Sequence, residues 1–112
     1  MLVYFPGFVA GWKRFGLSDE DLQSLEQALL KAPEAGAVVS GTGGLRKMRF
    51  APPSRRSGKS GAYRVGYFFL RMSAKVYVLS IFAKADQANL TNAEKAAFKQ
   101  AIEGIKTMNP RG

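Results

Sequence analysis

Apolar residues recur at helical spacing near both ends of the chain and at strand spacing between them. Leu22, Leu25, Leu29 and Leu30 fall on one stripe after Ser18-Asp19-Glu20-Asp21. In that start Ser18 can cap the helix, Asp21 stands three residues on, and the acids complement the helix dipole. Pro33 ends the run. A shorter helix is predicted over 8–15, with Val9, Trp12 and Phe15 as its buried side and Gly16 closing it. Near the other end Thr91-Asn92-Ala93-Glu94 has the form of a capping box. Ala97, Phe98, Ala101, Ile102 and Ile105 make the apolar stripe that follows, and Pro110 stops it.

The middle reads as sheet. Residues 45–51 are bounded by Gly43-Gly44 and Pro52-Pro53, while 62–71 and 75–84 are aromatic and β-branched. Met72-Ser73-Ala74 is the expected hairpin turn, and 37–39 adds a short strand. On a strand Lys47 and Arg49 project from one face, Met48 and Phe50 from the other. Tyr63, Val65, Tyr67 and Phe69 share a face opposite Arg64. In the next strand Val76, Val78, Ser80, Phe82 and Lys84 share one face, with Tyr77, Leu79 and Ile81 on the other. Two helices, three or four strands and a last helix, without αβ alternation, predict an α+β fold. Its expected form is an antiparallel, curved sheet with helices segregated against it.

A length of 112 residues bounds one domain over 1–112. A hydrophobic fraction of 46% excludes intrinsic disorder for most of it. Cysteine and histidine are both absent. That removes disulfides, thiol catalysis and zinc ribbons, and with them the usual general base and metal ligand, so no cofactor is expected. No apolar stretch approaches the ~18–20 residues of a membrane span. The start Met1-Leu2-Val3-Tyr4-Phe5-Pro6 has no basic region and does not read as a signal peptide. A cytoplasmic location without a membrane partner is expected.

Charge sharpens the picture. Between Ala35 and Ala85 lie ten basic residues and no acid, whereas the remainder sets seven basic residues against all eight acids. The segment therefore carries +10 of a chain whose total is +9, and a polyanion partner follows. Ser57-Gly58-Lys59-Ser60 is not a Walker A motif: Pro53 stands where its first glycine belongs, and a strand follows where a helix is needed. The stretch around it is instead a basic loop presenting Arg55, Arg56 and Lys59. Gly41-Thr42-Gly43-Gly44 could cradle a phosphate with backbone N–H groups, though a tight turn is the commoner use of such glycines. Basic side chains on a sheet face suit RNA, with Lys and Arg on phosphates and aromatic rings on unpaired bases.

Several of these strings together resemble the HigB branch of the RelE-like toxins. They are Gly41-Thr42-Gly43-Gly44-Leu45-Arg46-Lys47-Met48-Arg49, a basic Gly/Ser/Lys loop, Tyr63-Arg64-Val65, Ile81-Phe82-Ala83-Lys84 and Asn89-Leu90-Thr91 before the final helix. The likeness runs from about Leu17 to Ile105. It implies the RelE-like fold and a toxin of a type II toxin–antitoxin pair, a metal-independent endoribonuclease that cleaves mRNA in the ribosomal A site. The partners it implies are the ribosome, mRNA and a cognate antitoxin, HigA-like and of helix-turn-helix type. Carried over by position, Lys47 and Arg49 match the family's basic residues before the loop, Arg64 its arginine after an aromatic, and Lys84 its charged group near the last strand's end. Arg46, Arg55, Arg56 and Lys59 are expected on RNA. RelE itself stacks a C-terminal tyrosine on the substrate base, and no tyrosine follows Tyr77 here, so Tyr67 is only a weak substitute.

RNA cleavage without a metal needs the 2′-OH deprotonated, the phosphorane charge stabilised and the 5′-oxygen protonated. Arg49 and Arg64 suit phosphate clamping. Without histidine the base falls to Lys47 or Lys84, whose acid-free surroundings favour losing a proton. The competing reading is a non-catalytic RNA- or ribosome-binding protein. A DNA-binding regulator is weaker, because no helix-turn-helix is visible.

Overall fold

The computed structural model describes residues 1–54, 62–83 and 90–109. The first strand, β1 (Leu2–Tyr4), runs into α1 (Pro6–Arg14), where Pro6 sits in the first turn and its missing N–H leaves nothing unsatisfied. α2 (Asp19–Lys31) starts on a reciprocal cap: Ser18 Oγ accepts from the Asp21 N–H, and the Asp21 carboxylate accepts from the Ser18 N–H. Strands β2 (Ala37–Val38), β3 (Arg46–Phe50), β4 (Tyr63–Leu70) and β5 (Lys75–Ala83) follow. A 3-10 turn, Arg71–Ser73, joins the last two, and Ala74 completes it at φ 52°. α3 (Asn92–Met108) opens on the same kind of cap, between Thr91 and Glu94.

The α+β class holds, with two differences in the sheet. Among the described residues it has five strands in the order β1-β5-β4-β3-β2, not three or four. The additional strand, β1, lies parallel to β5, pairing Leu2 with Val76 and Tyr4 with Val78, so the sheet is mixed. The other neighbours are antiparallel. Helices cover both faces. Phe8 and Trp12 of α1 and Leu25 and Leu29 of α2 pack with Phe50, Tyr63, Val65 and Tyr67 on one side. Ile102 and Ile105 of α3 pack with Leu45, Phe68, Leu70 and Tyr77 on the other. Two stripe members point outward instead: Val9 and Leu30 are exposed, each one residue past a buried neighbour and so about 100° further round its helix. Ala97 is likewise exposed on α3.

A bulge decides which side chains face α3. Gly66 pairs with Ser80 while the next residue, Tyr67, pairs with Val78, which leaves Leu79 as an extra residue in β5. The alternation reverses there. Val76, Val78 and Ile81 share the α1–α2 side, whereas Ser80 and Phe82 face the α3 side with Tyr77 and Leu79. The sequence expectation, which set Ile81 with Tyr77 and Ser80 with Val76, is corrected by that single inserted position.

Candidate functional site

Strand register gathers the basic residues. Lys47 pairs across β3–β4 with Gly66, and Arg49 with Arg64. Across β4–β5, Arg64 pairs with Phe82 and Gly66 with Ser80. Directly paired residues share a face, so Lys47, Arg49, Arg64, Ser80 and Phe82 all belong to the α3 side of the sheet. Between them and α3 lies a cavity of about 220 Å³ whose lining includes Lys47, Arg64, Ser80 and Phe82 from the sheet and Lys95 and Phe98 from α3. Lys47 and Arg49 are exposed and Arg64 is half-buried.

The electrostatics of this face are unbalanced. Arg49 stands opposite Arg64 on the adjacent strand, a like-charge pairing that costs stability on its own. No ion pair joins Lys47, Arg49 or Arg64 to an acid among the described residues; the ion pairs found there both involve Glu34, with Arg46 and with Arg71. An anion set between two guanidinium groups removes that repulsion and accepts planar, two-point hydrogen bonding.

Other expected site residues stand elsewhere. Arg46 lies on the opposite face, where its Nη1 donates to the Glu34 and Gly36 carbonyls at 2.9 Å each. Tyr67, its cross-strand partner, is 1% exposed, and its hydroxyl accepts from the Gly36 N–H at 3.0 Å. A ring so enclosed has no face on which a base could stack. Arg46 and Tyr67 together hold the chain that leads into β2. Arg55, Arg56, Lys59 and Lys84 lie outside the described residues.

The glycine cluster is a turn. Thr42 is fully buried, and its hydroxyl donates to the Val39 carbonyl at 2.6 Å and accepts from the Leu45 N–H at 3.0 Å. Gly41 and Gly43 occupy φ values of 79° and 77°, open to glycine at little cost. The Lys106 ammonium donates to the Gly43 carbonyl at 3.0 Å and lies over the Phe68 ring. These contacts tie the turn to α3.

At the other end of β3 a buried acid holds Ser54. Asp21 is fully buried, and its carboxylate accepts from the Ser54 N–H at 3.0 Å and the Ser54 hydroxyl at 2.6 Å, besides the Ser18 N–H. Burial alone would raise its pKa, but the hydrogen bonds from Ser54 and Ser18 outweigh that and hold it at about 2.

Lys95, Phe98 and Ser80 were not among the sequence-derived site residues. Lys95, Phe98, Lys99 and Ile102 follow at spacings of three and four, which places the lysines beside the apolar stripe and was the available signal. Ser80 had none, since its orientation depends on the bulge.

Residues 8–111 match the family described as the RelE toxin of the RelE/RelB toxin–antitoxin system. Among solved structures, the chain is similar to a double arginine-to-alanine mutant of the Escherichia coli toxin RelE in the free state. The identity is 20%, with 87% of this chain and 94% of that one covered, at a TM-score of 0.56. It is also similar to the isolated E. coli RelE toxin, at 23% identity and a TM-score of 0.51, covering 90% of this chain and 97% of that one. At these identities the structures speak to the fold.

Proposed function

The chain belongs to the family of RelE toxins of RelE/RelB toxin–antitoxin systems, and from that premise we propose that it halts translation by cutting mRNA on the ribosome. The observation that carries the reading is the unbalanced cationic face, Lys47, Arg49 and Arg64 on one side of the sheet with Arg49 and Arg64 directly opposed. In the proposed reaction the 2′-oxygen loses its proton and attacks the adjacent phosphorus in line. Arg49 and Arg64 hold the non-bridging oxygens as negative charge builds, and the P–O5′ bond breaks as the 5′-oxygen takes a proton. These cations supply the charge stabilisation that a metal gives elsewhere, so the reading includes metal independence. Lys47 and Lys84 are the side chains assigned to proton transfer. A face with little acid–base machinery gains most when another body orients the RNA, which favours a ribosome-bound substrate over free mRNA.

The same reading supplies a cognate antitoxin as partner. It keeps the chain with the HigB branch on the strength of the Gly41–Arg49 string, and hence expects a helix-turn-helix, HigA-like antitoxin and a cytoplasmic site of action. Induction of the chain in a bacterial host without that antitoxin tests it. Growth arrest with loss of protein synthesis is expected; normal growth with soluble, folded protein present contradicts it.

A further inference from the structure

The cavity between the sheet and α3 holds more than the cations at its mouth. Much of its lining is apolar, with Leu45, Leu90, Phe82 and Phe98 among the contributors. Within it stands Ser80, 7% exposed, whose Oγ is the buried side-chain polar atom left without a hydrogen-bond partner among the described residues. A buried hydroxyl with no partner is unfavourable, and such a group lining a cavity marks where an outside partner can supply the missing bond. The bulge at Leu79 turns Ser80 to this side. Gly66 opposite leaves it room, since a Cβ there would stand 2.6 Å from the Oγ. The volume, about 220 Å³, is below the ~300–1,000 Å³ of pockets for drug-sized ligands. It suits one planar ring system.

We propose that this cavity seats one unpaired base of the bound RNA, with Ser80 Oγ hydrogen-bonded to the base edge and Lys95 and Arg64 on the flanking phosphate. Ser80 is then a specificity-determining residue, because its hydroxyl both donates and accepts and can engage an edge that the apolar walls cannot. Phe82 and Phe98 contribute aromatic surface of the kind bases stack on, with little preference among them. The inference rests on the RNA-cleaving reading above, but it is testable without cleavage.

The test titrates the full-length protein with each ribonucleoside 5′-monophosphate and with inorganic phosphate, following assigned backbone amide resonances. At least one nucleotide is expected to bind about tenfold or more tighter than inorganic phosphate, moving the amides of Gly66 and Ser80. Ser80→Ala should weaken that nucleotide about tenfold and leave inorganic phosphate unaffected, while thermal stability stays level or rises because the lost hydroxyl had no partner. Phe98→Leu should weaken the nucleotide in the same selective way. Nucleotides that bind no tighter than phosphate overturn the proposal, as do Ser80→Ala and Phe98→Leu variants that bind them undiminished. Cleavage of ribosome-bound mRNA by a chain that fails these tests would leave the toxin reading standing and the base pocket refuted. Selective nucleotide binding without cleavage would do the reverse.

Discussion

Arg64 is the side chain on which the proposed chemistry leans most, because it alone both opposes Arg49 and lines the cavity beside Lys47. Arg64→Ala is expected to lower cleavage of ribosome-bound mRNA by roughly 10²–10³, the scale of losing one donor to a transition-state oxyanion. Lys75→Ala removes the same charge beside the 3-10 turn, at the opposite end of the β4–β5 ladder from the Arg64–Phe82 pair, and should leave the rate within a few-fold of the parent. Equal losses in the two variants would mean that net charge, not position, governs activity. Asp21 carries a different expectation. Its folded pKa of about 2 lies below the ordinary 3.8, so the stabilisation it gives is complete above that ordinary value and is lost as pH falls through about 2. It amounts to about 2 kcal/mol. Chemical denaturation of the parent and Asp21→Asn should show that difference at neutral pH and see it shrink progressively below pH ~4; a gap unchanged at pH ~2 would refute the assignment.

Among elements, the β4–β5 pair sets the site through its bulge, and Gly66 is where that can be probed. A Cβ at Gly66 would meet Ser80 Oγ at 2.6 Å, so Gly66→Ala should destabilise the fold by about 1–3 kcal/mol through overpacking. Adding Ser80→Ala should recover most of that loss in thermal denaturation, and strictly additive effects would contradict the contact. The helix starts at Ser18 and Thr91 and the strands around β3 were legible, because capping residues and bounding glycines and prolines act locally. The bulge was not. Residues 75–83 are mostly apolar on both faces, since helices cover both sides of the sheet, and a pattern without polar alternation cannot reveal a one-residue slip. β1 was missed for a related reason: three residues paired with a strand more than seventy positions away leave no local signature. The shared face of Lys47 and Arg49 was readable from period two, whereas Tyr67, aromatic and mid-strand, could not be told from a stacking residue until its hydroxyl was found on Gly36.

Across the whole molecule, counting charge by segment overstates what is available to RNA and also misses part of it. Arg46 and Arg71 of the acid-free stretch both turn to Glu34, while Lys95 from the acid-containing final helix joins Lys47 and Arg64 at the cavity. The positive face is therefore a product of tertiary placement, built from β3, β4 and α3 together, and its breadth suits a strand of RNA held along several phosphates. Whether that face cuts RNA is tested most directly by primer extension on a defined mRNA incubated with the purified chain, once free and once bound in programmed ribosomes with a vacant A site. The expected result is discrete cleavage within the A-site codon of ribosome-bound mRNA, little or none on free mRNA, and cleavage that persists in the presence of a chelator added at a level that keeps the ribosomes intact. An mRNA that remains uncut in the ribosome, with the folded chain demonstrably bound there, would contradict the account and leave a basic ribosome-binding protein in its place.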